Sequence, residues 1–593
     1  MIYIQTDTFQ IDISRYGVSL NEESDLFTDS VNKNYSLPFT IEGDAELLNK
    51  LGLLHLGNAS DVDIQIPCRL ILPDRHYKAN LFIGDIQGKK IECTITYGDE
   101  DLAVYDIELK NLPWPQIISV DLPVYARNCS RKSWPSTAFN FPMVWKPSIT
   151  EEDNYEAFEG FLNNFQNSKY VENEIDNSGE EPKYLNKNVM APMPYLLEIL
   201  RFIYAQEGKK VFGEAVEHPD LKKALYIPEN YLEKFRGSEY LQWSFSDPKS
   251  NLINNNKVYS LYEQLLSPTE VGNYEIDYTI SLDPVQARYF EFKIYRQDSI
   301  TGERSILKEA KSTNNRVKLD DKFSITIEKK DIYDKIVVQL ILENQNQSIA
   351  DTNNFEYSFE GGRLNQFPSV FSLSNFVPDM TAGEYINLLK NWWNLDIDVQ
   401  ERFVIVNFAQ NSVLDRKVRD HSHLEDPKKK FVHNTNRFYK LSYTNGETYF
   451  YNKNGRVFSN LLDNEEDEIK IELDLQPALV EPNKGIITAV APEESSDLDF
   501  CLYGGLENDL PVCSENLSRA LSLDNVGSNF WETWLWFRIH SKTFKDSIEC
   551  STHEIYDIKE LSFKYNEKQI IKKISKKFQS EKVMKVEVES EAF

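Results

Sequence analysis

Residues 34–52 read NYSLPFTIEGDAELLNKLG. Tyr35, Leu37, Phe39 and Ile41 alternate with Ser36, Pro38 and Thr40, which is the period of a half-buried strand. Pro38 has no N–H to give to a ladder, so the spacing predicts an edge strand. Asp44 stands where a helix N-cap belongs and Gly52 where a helix ends, so a short helix follows at once. A strand carrying a proline, answered by one or two capped helical turns, sets the expectation for the whole chain: mainly β with a few short helices (α+β).

Composition agrees with that reading. The 593 residues allow roughly four domains by length. With 41% hydrophobic residues, each can bury a core. The 31 Tyr, 34 Phe and 9 Trp favour strands, so several β-barrel or β-sandwich domains in one chain are expected. The formal charge is −29, from 65 basic and 94 acidic side chains. A nucleic-acid binder needs a basic footprint, and anionic lipid repels such a chain. The start, MIYIQTDTFQIDISRYG, has neither a basic n-region nor an apolar run, so neither a signal peptide nor a membrane anchor is expected. Cys68, Cys93, Cys129, Cys501, Cys513 and Cys550 are too sparse for a disulfide framework, which points to a reducing cytoplasm.

The pattern divides the chain into six parts. Residues 1–150 read as an N-terminal β domain, with the strands IQIPCRLIL, KANLFIGDI, KIECTITYG and AVYDIEL and a proline-punctuated extended tail, PWPQIISVDLPVYARNCSRKSWPST. Residues 151–188 hold ten acids against three lysines and read as an acidic loop or linker. Residues 189–267 form a helix-strand domain: Pro194 suits a first helical turn, Leu196, Leu197, Leu200 and Ile203 share a face, and HPDLKKALYI reads as a second short helix. Residues 268–362 read as an inserted β-sandwich, with NYEIDYTISL, RYFEFKIYR, FSITIEK and KIVVQLILE as strands.

In 363–480, a second helix-strand and β domain, Thr381 and Glu384 have capping-box spacing ahead of an apolar face of Ile386, Leu389, Trp392 and Trp393. Its plan repeats that of residues 190–213, which suggests a weak internal duplication. Residues 481–593 read as a C-terminal β domain. Asn445-Gly446 and Asn454-Gly455 read as hairpin turns, and DNEEDE as an acidic interruption.

Chemistry is sparse. His421 and His423 stand two apart with Asp420, Glu425 and Asp426 near and His433 beyond, so on a strand both imidazoles would share one face and could begin a metal site. No second ligand motif supports it, and the polar setting suits a surface strand or loop. Among 94 acids a glycosidase pair has no distinguishing mark in sequence. No G-x-S-x-G, P-loop or HExxH occurs. In WETWLWF, Trp534 and Trp536 would share a strand face beside Trp531 and could stack on sugar rings, against the alternative of core packing. No catalytic residue, metal or cofactor is nominated, and no enzymatic activity is expected.

One segment reverses the acidic trend. Residues 559–585 carry nine lysines, with Lys572-Lys573 and Lys576-Lys577 as doublets. They read either as a solvated, aggregation-resistant edge or as a docking surface for an acidic neighbour, such as another copy of this chain.

Four segments in this order carry a resemblance. NYSLPFTIEGDAELLNKLG resembles the start of a tail protein common in phages and prophages of Bacteroidetes-type bacteria. APMPYLLEILRFIYAQEGKKVFGE resembles that family's proline-led helix, glycine and strand, and FVPDMTAGEYINLLKNWWNLDIDVQERFVIVNF its second helix-strand unit. RKVRDHSHLEDPKK sits where such proteins place a strand and turn before a C-terminal β region. The match spans about half the chain.

The family is similar to baseplate or tail hub proteins, β-barrel-like domains arranged as a ring at the tail tip. The resemblance therefore implies a structural virion protein, most simply a homotrimer, assembled in the bacterial cytoplasm and resident in the virion tail. Its implied partners are the tail tube, spike or other baseplate proteins, and DNA that passes without specific binding. The 268–362 sandwich departs from the family's plan, and no lysozyme-like or peptidase domain is attached. The alternatives are a carbohydrate-binding tail protein contacting a host surface glycan and an envelope-polymer hydrolase.

Overall fold

The computed structural model describes residues 2–592, apart from 28–33, 52–64, 99–101, 179–182, 234–240, 244–247, 255–256, 268–271, 283–289, 313–316, 328–333, 344–353, 361–363, 435–437, 444–448, 454–455, 461–467, 493–496 and 514–521 and residues 74, 153, 474 and 581. Gly52, both Asn-Gly turns and residues 463–467 of the acidic run thus lie outside the described residues. The chain is mainly β with a few short helices.

Its largest element is a 14-stranded sheet. The first eight strands are β1 (Tyr3–Gln5), β2 (Gln10–Asp12), β3 (Ser19–Glu23), β4 (Asn34–Ser36), β5 (Phe39–Glu42), β6 (Gln65–Ile71), β7 (His76–Gln87) and β8 (Lys90–Tyr97). The other six are β9 (Val418–Asp420), β10 (Lys430–His433), β11 (Lys542–Ser551), β12 (Leu561–Lys564), β13 (Glu567–Phe578) and β14 (Val583–Ala592). The order is β2-β1-β6-β7-β8-β4-β3-β13-β14-β11-β10, with β5 on β8, β12 on β13 and β9 on β12. The expected N-terminal and C-terminal β domains are therefore corrected to one sheet: β3 lies antiparallel to β13, with Leu20 opposite Lys576. One apolar core, including Ile4, Leu20, Ile91, Ile574 and Val586, underlies both halves.

The stretch around Pro38 is not a single edge strand. It breaks at Leu37-Pro38 into β4, which lies between β8 and β3, and β5, which pairs with β8 alone. At the break the N–H of Ile95 is taken by the buried Ser36 hydroxyl at 2.9 Å, and Leu37 N–H bonds Ser19 O at 3.0 Å. Proline is tolerated because the ladder is already interrupted there. Asp44 caps α1 (Ala45–Lys50) as expected, accepting from Leu47 N–H at 2.7 Å.

A second core fills the middle of the chain. It packs α2 (Leu122–Cys129), α3 (Leu196–Gln206), α4 (Glu214–Glu217), α5 (Ala382–Trp393), α6 (Ala409–Asp415) and α7 (Glu532–His540) among small sheets. The α5 capping box forms as the spacing predicts, with Thr381 and Glu384 each serving the other's backbone. The two helix-strand units lie side by side: strand Lys210–Phe212 after α3 pairs in parallel with Phe403–Phe408 after α5. Gly213 turns out of that pairing at φ +126°, where an added Cβ would fall 2.3 Å from Val406 O.

Four other expectations are corrected. The AVYDIEL stretch forms 3-10 turns at Ala103–Asp106 and Leu109–Asn111, because Val104 and Leu109 are drawn into the central core. The proline-punctuated tail contains α2, begun by Asp121 as N-cap and Pro123 in the first turn. HPDLKKALYI is a single 3-10 turn followed by strand Ala224–Tyr226. Residues 151–188 are no linker: Tyr155, Phe161, Leu162, Phe165 and Tyr170 are buried. Their backbone is held by buried asparagines; Asn163 Nδ2 donates to Pro142 O and Ala191 O, both at 3.0 Å, and its Oδ1 accepts from Ala191 N–H at 2.8 Å. Asparagine satisfies irregular buried backbone that lacks a ladder.

The expected insertion is a two-sheet sandwich with its own core, in which Tyr274, Ile276, Tyr278 and Ile280 face Phe292, Ile294, Val338 and Leu340. It begins earlier than 268: strands Leu241–Trp243, Ser250–Asn254 and Lys257–Leu266 belong to it.

Candidate functional site

The lysine-rich strand is β13, and three of its four doublet lysines are engaged within the chain. Lys576 is buried and donates to Glu22 at 2.8 Å. Lys573 pairs with Glu23, and Lys572 reaches Glu589 on β14 at 3.2 Å. Lys577 is exposed, opposite Lys585. The acidic neighbour that the lysines suit is β3 of the same molecule. Sequence distance hid this, since Glu22 and Lys576 are 554 positions apart.

The tryptophan stretch is helical. Trp531 ends a π-helical turn and α7 follows, which corrects the expected strand. Trp531 and Trp534 are buried, and Trp531 Nε1 donates to Trp392 O at 3.1 Å. Trp536 alone is exposed, at 57%, beside the His540 ring. No three-ring platform exists. The missed signal was the spacing Phe530, Trp531, Trp534, Leu535, Ile539, which is a helix face closing on the core.

The histidines also separate. His421 follows β9 and is buried; Nδ1 lies 2.9 Å from Ser562 Oγ, Nε2 lies 3.0 Å from Ile555 O, and the ring stacks on Tyr556. Burial pushes its pKa below the ordinary value, against the pull of the Ile555 carbonyl. His423 is turned to solvent near Glu554, and His433 lies on exposed β10. Among the described residues no three His, Cys, Asp or Glu side chains are grouped to hold a metal. Cys501 and Cys513 are buried, and the Cys513 thiol is pushed far up by its hydrogen bond to Cys501 and by burial, so it is no thiolate.

Two clusters were invisible in sequence because their parts are scattered along it. A cleft of about 170 Å³ lies where Glu23, Asp25 and Asn34 meet Asp396, Asp398, Arg416 and Lys559. Arg416 Nη2 donates to both Asp396 oxygens at 3.0 and 3.2 Å, and Ser412 donates to the same carboxylate. Lys559 holds Asp398 at 2.5 Å. Burial alone would raise the Asp396 pKa, but Arg416 and Ser412 outweigh it and hold it below the ordinary value. Asp396 is thus held ionised and cannot be the protonated acid of a glycosidase pair, and the two cation-bound carboxylates make the cleft a joint between the sheet and the central core. Elsewhere Glu152 has a raised pKa, from burial and then from the neighbouring Glu233, while Glu233 accepts from Tyr155 Oη at 2.5 Å.

One surface feature stands apart. Strand Gln116–Ile118 pairs with Val370–Ser372, placing Ile118 opposite Val370. Ile118 is 73% and Val120 96% exposed, and Val124 and Val370 are exposed as well.

No protein-family model matches the chain, and no curated protein matches it in sequence. Among solved structures, it is similar to the Eiger TNF from S. frugiperda at 9% identity and TM-score 0.12, over 22% of this chain and 91% of that one. It is also similar to a CBM4 structure at 12% identity and TM-score 0.11, over 26% of this chain and 92% of that one. At these TM-scores neither likeness carries an argument about function.

Proposed function

We propose that this chain is a structural component of a phage tail, a hub or baseplate subunit that works by assembling with copies of itself, most simply as a trimer, into a ring at the tail tip. The resemblance of residues 34–52, 191–214 and 376–408 to Bacteroidetes-type tail proteins supports the reading. The observation that carries it is the exposed apolar pair Ile118 and Val370 on adjoining strands, with exposed Val120 and Val124 next along the chain. Apolar side chains gathered on an outer surface mark a place that a partner covers. In a ring through which DNA passes, the formal charge of −29 would keep phosphate from adhering to the wall.

The test is sedimentation equilibrium of the purified 69.0 kDa chain over a range of concentration and salt. A discrete trimer or hexamer is the expected result, and Ile118→Lys should weaken it. A strict monomer under every condition would overturn self-assembly as the working principle.

A further inference from the structure

Among the described residues the principal sheet is open at both ends: β2 is one edge and β10 the other. On β10 all four residues are exposed, including Phe431 and Val432. Asn434 N–H bonds Ser541 O, so by antiparallel alternation Val432 and Lys430 bond inward to β11. The N–H and C=O of Phe431 and His433 therefore point outward. On β2, Ile13 N–H bonds Ile2 O, so Gln10 and Asp12 present theirs outward in the same way. Such rows of free donors and acceptors are templates for another strand.

The two edges are opposite in charge. Lys428, Lys429 and Lys430 lead into β10; Lys429 lies over the Tyr565 ring, Lys428 gives its backbone N–H to Asp426 at 2.8 Å, and the ammonium groups of Lys428 and Lys430 have no acidic partner among the described residues. That is anomalous in a chain of net charge −29. Asp7 precedes β2 and Asp12 ends it; Asp7 is exposed with no partner among the described residues, and Asp12 accepts from Ser14 and stands 3.7 Å from exposed Arg15. Pairing β10 with another β10 would set lysine against lysine, which is unfavourable.

We propose that β10 of one copy adds in parallel to β2 of a second copy, which sets Lys430 and Asp12 on one face, so that the principal sheet continues from subunit to subunit. Unlike edges make a heterologous contact, and a heterologous contact closes into a ring when its rotation allows. This rests on the self-assembly reading and names the surfaces that perform it.

The test uses the full chain in sedimentation velocity at low and high salt. Phe431→Pro and Gln10→Pro each remove one outward N–H and no hydrogen bond within the subunit. Each should shift the oligomer to monomer while leaving the thermal melt in place. Lys430→Glu alone should raise the dissociation constant roughly tenfold, and Lys430→Glu combined with Asp12→Lys should restore it, an outcome that a misfolded variant would not give. If the wild type forms a discrete oligomer that neither proline disturbs, and the charge swap does not rescue, the edge contact is overturned while self-assembly stands. A wild type that remains monomeric overturns both.

Discussion

Lys576 and Glu22 form an ion pair at 2.8 Å although 554 positions separate them, and their side chains are only 8% and 4% exposed. Tyr97 Oη lies 3.4 Å from the same carboxylate. A buried pair of this kind is valuable mainly through the harm done by breaking it. Lys576→Ala or Glu22→Ala should each destabilise the principal sheet by about 3–5 kcal/mol, whereas Lys576→Met with Glu22→Leu should be near neutral. Urea unfolding followed by hydrogen exchange of β3 and β13 checks this; equal losses in the single and double variants would refute it.

Trp392 and Trp393 stack with ring centroids 4.5 Å apart, and both are fully buried. Trp392 Nε1 donates to Tyr443 Oη at 3.1 Å, but the Trp393 N–H has no partner among the described residues. Trp393→Phe removes that indole N–H together with some packing, and Trp392→Phe also removes a hydrogen bond to the Tyr443 hydroxyl. The second should cost about 1–2 kcal/mol more than the first. Chemical denaturation of the two variants under one condition makes the comparison.

In the sandwich, Glu263 takes Lys249 at 2.5 Å, Arg304 at 2.8 Å and Gln339 at 3.1 Å. Burial pushes its pKa up, but these donors outweigh burial and bring it from 4.5 down to about 2. A depressed carboxyl stabilises fully above its unfolded value and loses that stabilisation as pH falls through its folded value. Hydrogen exchange in the sandwich strands should therefore quicken between about pH 4.5 and 2. In Glu263→Gln that segment of the profile should flatten; an unchanged slope would show that other acids govern it.

His421 works in the opposite chemical sense. Buried between Ser562 and the Ile555 carbonyl, it is held neutral, its pKa below the ordinary 6.5. The unfolded chain takes up a proton there first, so stability declines as pH falls below about 6.5. Replacing it by Asn should remove that part of the decline, read from thermal melts between pH 5 and 7.5.

Local patterns were legible where local physics decided them. Asp44, the Thr381–Glu384 box and the alternation of Tyr274 to Ile280 are written in neighbouring residues, and the structure follows them. Trp534 and Trp536 misled because tryptophan favours strands, while the i, i+3, i+4 rhythm around them belongs to a helix drawn into the core. The acid-rich stretch 151–188 looked like a linker because charge dominates its count, yet its aromatics and asparagines bury. The cleft at Asp396 and Arg416 was beyond reach, since its walls come from residues near 23, 396, 416 and 558.

The seam between β3 and β13 also sets a schedule. At ~5–20 residues per second, β13 leaves the ribosome on the order of half a minute to two minutes after β3. During that interval β3 has β4 on one side and an open flank on the other. Glu22 and Glu23 keep the open flank negative, which discourages pairing between chains on one polysome until Lys573 and Lys576 arrive. Neutralising both as Glu22→Gln with Glu23→Gln should increase aggregation of nascent chains arrested before residue 567. The strands made earliest therefore wait, guarded by their own charge, for the strand that completes them.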